Sequence, residues 1–168
     1  MLESNTRKYE RGTGQDLYRR SLYTFWKRSA PPAQMEVFNA PNRQTCTVRR
    51  ERTDTPLQAL VTLNDEQFVE AARTLAQKAL RNSGSDAPSR LGYIAERLLA
   101  RPFRSEERKI LEGNLRDLLE HYQAEPKEAE KLIMVGESKP DATLDKPTLA
   151  AYTMMANELM NLDEVLNK

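Results

Sequence analysis

The chain has 168 residues, of which 39% are hydrophobic and 30% charged, and its mean hydropathy is −0.74. That is enough chain for one domain with its own core, and too apolar a mix for a disordered one. No apolar run approaches the ~20 residues of a membrane span, one cysteine excludes an internal disulfide, and the opening residues have no apolar stretch of the signal-peptide kind.

The formal net charge of +1 hides an asymmetry. Residues 1–60 carry eleven basic against six acidic side chains, whereas residues 61–168 carry fifteen against nineteen. A basic face from the first third is expected. The sequence pI near 7.8 speaks against nucleic acid as a partner.

In chain order, residues 1–16 read as a tail or linker and 17–168 as one helical domain. Tyr18, Leu22, Phe25 and Trp26 have helical spacing and stop at Ala30-Pro31-Pro32. These aromatics, with Tyr23, suit a sugar or base platform, but at helical spacing a core role is favoured. Residues 31–56 form an irregular segment rich in Pro, Arg and Thr, with one short extended stretch around Cys46-Thr47-Val48. Thr55-Pro56 reads as N-cap and first position of a helix through Leu57, Leu60 and Leu63, and Asn64-Asp65 breaks and recaps the chain. Further stripes follow at Phe68, Ala72, Leu75 and Ala79, and at Leu91, Ile94, Leu98 and Leu99. Ser105 caps a helix with Leu111, Leu115, Leu118 and Tyr122 on one face. Pro126 opens another, with Gly136 as its stop. Leu149, Tyr152, Ala156 and Leu159 mark a last stripe, continued by Leu162, Val165 and Leu166. The expected architecture is all-α, a single domain of about six or seven helices.

Chemistry concentrates in one place. Arg43, Arg49, Arg50 and Arg52 fall within ten residues and suit an anionic ligand or partner through forked hydrogen bonds. The favoured reading ties them instead to helix ends and to Glu51 and Asp54, as donors an irregular loop needs. Cys46 is expected to be a small buried hydrophobe rather than a nucleophile, because no base is in view. His121 is expected on the exposed side of its helix. Asp163 and Glu164 cap a terminal turn or pair with the basic loop. One Cys and one His leave no usual metal or haem ligand set.

Several stretches carry a resemblance. They are Tyr18-Arg19-Arg20-Ser21-Leu22-Tyr23-Thr24-Phe25-Trp26-Lys27-Arg28 with Ala30-Pro31-Pro32, and Asn39-Ala40-Pro41-Asn42-Arg43. Two more are Arg52-Thr53-Asp54-Thr55-Pro56-Leu57 through Asn64-Asp65, and Leu159-Met160-Asn161-Leu162-Asp163-Glu164. From about Tyr9 onward the chain resembles the C-terminal domain of unknown function of planctomycete-type secreted cytochrome-c-containing proteins, departing at Asn39 and Asp54. The resemblance singles out Arg19, Arg20, Trp26, Thr53, Thr55, Asn64, Asp65, Asn161 and Asp163 as structural motif residues. It implies a long exported parent, periplasmic or otherwise extracytoplasmic, with c-type haem outside this chain and none within it. Catalytic residues do not carry over. The function expected is a non-catalytic scaffold or interaction module contacting other parts of the parent or a protein partner. The rival is a domain binding anions or acidic, sulfated polysaccharide through the arginine cluster.

Overall fold

A computed structural model describes residues 12–20, 23, 33–41 and 45–167. Among them are eight α-helices, six at least seven residues long, and no strand. The all-α expectation holds.

Local chemistry sets most helix ends. A 3-10 turn, Gly14–Tyr18, comes first and runs across the boundary drawn at residue 16. Arg19 then turns extended, so no continuous helix starts at Tyr18. Leu22, Phe25 and Trp26 lie outside the described residues. Helix α1 (Ala33–Val37) is a short helix inside the segment read as irregular. Helix α2 (Pro56–Asn64) opens on a reciprocal pair: Gln58 N–H donates to Thr55 Oγ1 at 3.3 Å, and Thr55 N–H to Gln58 Oε1 at 2.9 Å. Asp65 closes α2, its N–H donating to the Val61 carbonyl, and opens α3 (Glu66–Asn82) by accepting from Gln67 N–H at 2.8 Å. Break and recap are therefore one residue.

Helix α4 (Ala87–Leu98) is capped by Asp86, which accepts from Ser89 N–H at 2.9 Å. Helix α5 (Ser105–Ala124) begins one residue earlier than expected. Ser105 is already helical, and Glu107 reaches back to accept from Arg104 N–H at 2.8 Å. Helix α6 (Pro126–Ile133) ends before Gly136, which sits in the next turn at φ +95°. Helix α7 (Lys146–Met160) is capped by Asp145. The stripe expected to continue through Leu166 breaks at Asn161-Leu162, and α8 (Asp163–Leu166) is a separate turn.

Helix α7 is the centre of the molecule. It packs on α3, α5 and α6, and Leu149, Ala150, Ala151, Tyr152, Met155 and Ala156 are buried. Alanines also line the facing side of α3, at 72, 76 and 79, and such small side chains let two helix axes approach closely. Helix α2 behaves otherwise. Its buried residues are the polar Gln58 and Thr62, while Leu57, Leu60 and Leu63 are 55%, 58% and 36% exposed. The leucine stripe, which helical periodicity would place on the core, faces solvent.

Candidate functional site

Polar contacts fix α2 from both ends of the chain. Thr53 Oγ1 accepts from Asn39 Nδ2 at 2.7 Å and from Gln58 Nε2 at 2.8 Å, and Gln58 Nε2 also donates to the Val37 carbonyl. Asn39 sits at φ +54°, a conformation asparagine tolerates better than most residues. On the other side Thr62 Oγ1 donates to Asn161 Oδ1 at 2.7 Å, and Asn157 Nδ2 to the Leu63 carbonyl at 3.2 Å. Asn167 Nδ2 donates to Asp163 Oδ1 and to the Thr53 carbonyl. Thr53, Thr55, Asp65 and Asn161 thus converge on this one helix, and Asp163 is joined to Thr53 only through Asn167. Asn64 remains exposed and donates within its own helix, to the Leu60 carbonyl.

The arginines stand above this framework. Arg49, Arg50 and Arg52 are exposed, and none makes an ion pair with a described residue. All three line one shallow groove of about 240 Å³ whose floor includes Asn39, Thr53 and Gln58. Glu51 contributes to the same groove. A neighbouring groove brings Arg52 beside Asp54, Asp163 and Glu164. Glu164 nevertheless pairs with Arg101, at 2.8 Å, and Arg101 pairs with Glu107, at 2.9 Å. These contacts hold Glu107 down at about pKa 2, the Arg101 bond being the largest cause. Arg43 and Trp26 lie outside the described residues. Arg19 pairs with Asp16 on the surface, and Arg20 is exposed.

Three expectations are corrected. Cys46 is exposed, not buried, because its segment runs across the surface outside the helices. Tyr18 and Tyr23 are likewise exposed, at 62% and 68%, not core residues. The Tyr18 hydroxyl is nevertheless anchored, donating to Glu70 Oε1 at 2.7 Å. His121 is exposed as expected, 3.1 Å from Glu128.

The sequence reading missed a buried charged centre. Glu70 and Arg73, one turn apart on α3, are 5% and 0% exposed. Arg73 donates to the carbonyls of Ile133, Val135 and Ser138, the last two at 2.6 and 2.7 Å, and so closes the end of α6. Burial alone would push the Glu70 pKa up. Hydrogen bonds from Ser138, Tyr18 and the Glu137 N–H outweigh it and hold the group at about 2. Apart from the Tyr18 hydroxyl, the side-chain hydrogen bonds of this pair go to the 133–138 turn, which they shape. The only hint in sequence was Glu and Arg at i, i+3, a pattern that normally marks an exposed pair.

Among the described residues no group of three or more His, Cys, Asp or Glu is placed to hold a metal ion, and no helix is long and apolar enough to cross a membrane. Residues 1–115 match the model of the protein family described as PSD1, protein of unknown function (DUF1553). No curated protein and no solved structure matches the chain.

Proposed function

The chain belongs to the PSD1 family of unknown function, and from that premise we propose that it is a non-catalytic interaction module. It docks through α2 onto an amphipathic helix of a protein partner or of another domain of its parent. The observation that carries this reading is the solvent-facing row Leu57, Leu60 and Leu63. Three leucines one turn apart on a helix held rigidly from beneath match the way one helix receives the apolar face of another. The exposed arginines of the 49–52 segment, next to the start of α2, assign the partner helix acidic flanks. Arginine is enriched at protein interfaces for its packing as well as its charge. The proposed setting, the C-terminal part of an exported haem-bearing parent, is supported by the motif resemblance alone.

A photo-crosslinking residue at position 60, in the full-length parent in its native cells, tests the reading. The expected adduct is a helical segment with leucine-sized side chains at i, i+3, i+4 and i+7 and acidic side chains flanking that face. Leu57→Ser with Leu63→Ser should abolish the adduct and leave the melting temperature within about 2 °C, since exposed sites contribute little to stability. Adducts on basic or uniformly polar segments, or adducts indifferent to those substitutions, would overturn it.

A further inference from the structure

We propose that the groove bounded by Arg49, Arg50 and Arg52 is an oxoanion site. It takes a group with two or more acceptor oxygens and one or two negative charges: free sulfate or phosphate, or a carboxylate presented by a partner. This goes beyond the docking reading, because it requires the isolated chain to bind a small anion with no partner present.

Three features of the groove carry the inference. First, basic side chains outnumber acidic ones in its lining. Three guanidinium groups face the single carboxylate of Glu51, and none of the three has an ion-pair partner among the described residues. Like charges gathered on one short segment repel one another until a counter-charge enters. Asp54 and Asp163 stand beside Arg52 in the neighbouring groove, outside this one, and Glu164 there is engaged by Arg101. Second, the floor is already ordered. Gln58 is 3% exposed, and Asn39, Thr53 and Gln58 are joined by bonds of 2.7 and 2.8 Å. An anion entering the groove therefore meets polar groups that are already in place on that side. Third, the size fits. A volume of about 240 Å³ lies below the roughly 300–1,000 Å³ of pockets for drug-sized ligands and accommodates a tetrahedral anion or a side-chain carboxylate. Guanidinium forks suit the paired oxygens of either.

The chain is titrated with sodium sulfate, sodium phosphate and an acidic Glu-Leu helical peptide, each against sodium chloride at matched ionic strength. Melting temperature and the side-chain amide NMR signals of Asn39 and Gln58 are followed. At least one of the three should raise the melting temperature by several degrees more than chloride does. It should shift the Asn39 and Gln58 signals saturably. Arg49→Gln with Arg50→Gln should weaken that binding at least tenfold, while Lys109→Gln with Arg116→Gln, exposed on α5, should not. A response to sulfate or phosphate identifies a free ion as ligand. A response to the peptide alone identifies a partner's carboxylate. Equal response to chloride, or an undiminished response in the Arg49/Arg50 variant, overturns the site. Since the crosslinking at position 60 reads α2 and this titration reads the groove, either proposal can fail alone.

Discussion

Arg73 is the residue with most to lose. It is fully buried, and three carbonyls of the 133–138 turn depend on it. Arg73→Met removes those donors and leaves the Glu70 carboxylate buried beside an apolar side chain. Removing one partner of a buried charged pair costs about 3–5 kcal/mol, and each kcal/mol moves the midpoint of a domain this size by roughly 2–4 °C. A fall of about 6–20 °C in thermal denaturation is expected. Glu70 gives the pH signature. Its folded pKa of about 2 lies below the ordinary carboxylate value of 4.5, so the stability it adds is complete above about pH 4.5 and drains away toward pH 2. Glu70→Gln should therefore be clearly less stable than the wild type at pH 7 and converge with it between pH 4.5 and 2. A constant gap across that range would contradict the assignment. Gly136 belongs to the same centre: a Cβ there would run into the Glu70 carboxylate. The pair was easy to pass over in sequence because its i, i+3 spacing is the one exposed helix pairs share.

At the scale of elements, helix ends were the legible part. Thr55-Pro56, Asp65 and Pro126 act as their residue types dictate, since capping chemistry is local. Helix α2 shows where the reading stops. Its leucines make a regular stripe, but whether a stripe faces the core depends on what the rest of the chain brings to it. Here Thr53, Asn157 and Asn161 bring hydrogen-bonding groups to the opposite face. The arginine groove was legible as a cluster and illegible as a groove, because its floor joins Asn39, Thr53 and Gln58 across a segment with no periodicity. One junction carries a prediction of its own. Ala100, just past the end of α4, sits at φ +57°, where glycine is the usual occupant. The strain of about 1–2 kcal/mol on a residue with a Cβ exceeds the unfolded-state entropy that glycine adds, about 0.4–1 kcal/mol. Ala100→Gly should raise the melting temperature by about 1–4 °C.

The whole molecule is organised on α7, against which α3, α5 and α6 all pack. The match to the family model ends at residue 115, inside α5, whereas α7 spans residues 146–160. A fragment of residues 1–115 would leave Ala72, Leu75, Ala76 and Ala79 without the surface they are buried against. It should lack cooperative unfolding and show dispersed amide signals for few residues, in contrast to the full chain, whose circular dichroism should be mainly helical. The position of α7 in the chain also bears on biosynthesis. A ribosome delivers residues in order, at about 5–20 per second, and α3, α5 and α6 all emerge before α7 does. For several seconds the nascent polypeptide holds its apolar stripes ready with nothing to close them. Holdase chaperones should find their binding sites on α3 and α5 during that interval, and lose them when Met155 and Leu159 arrive.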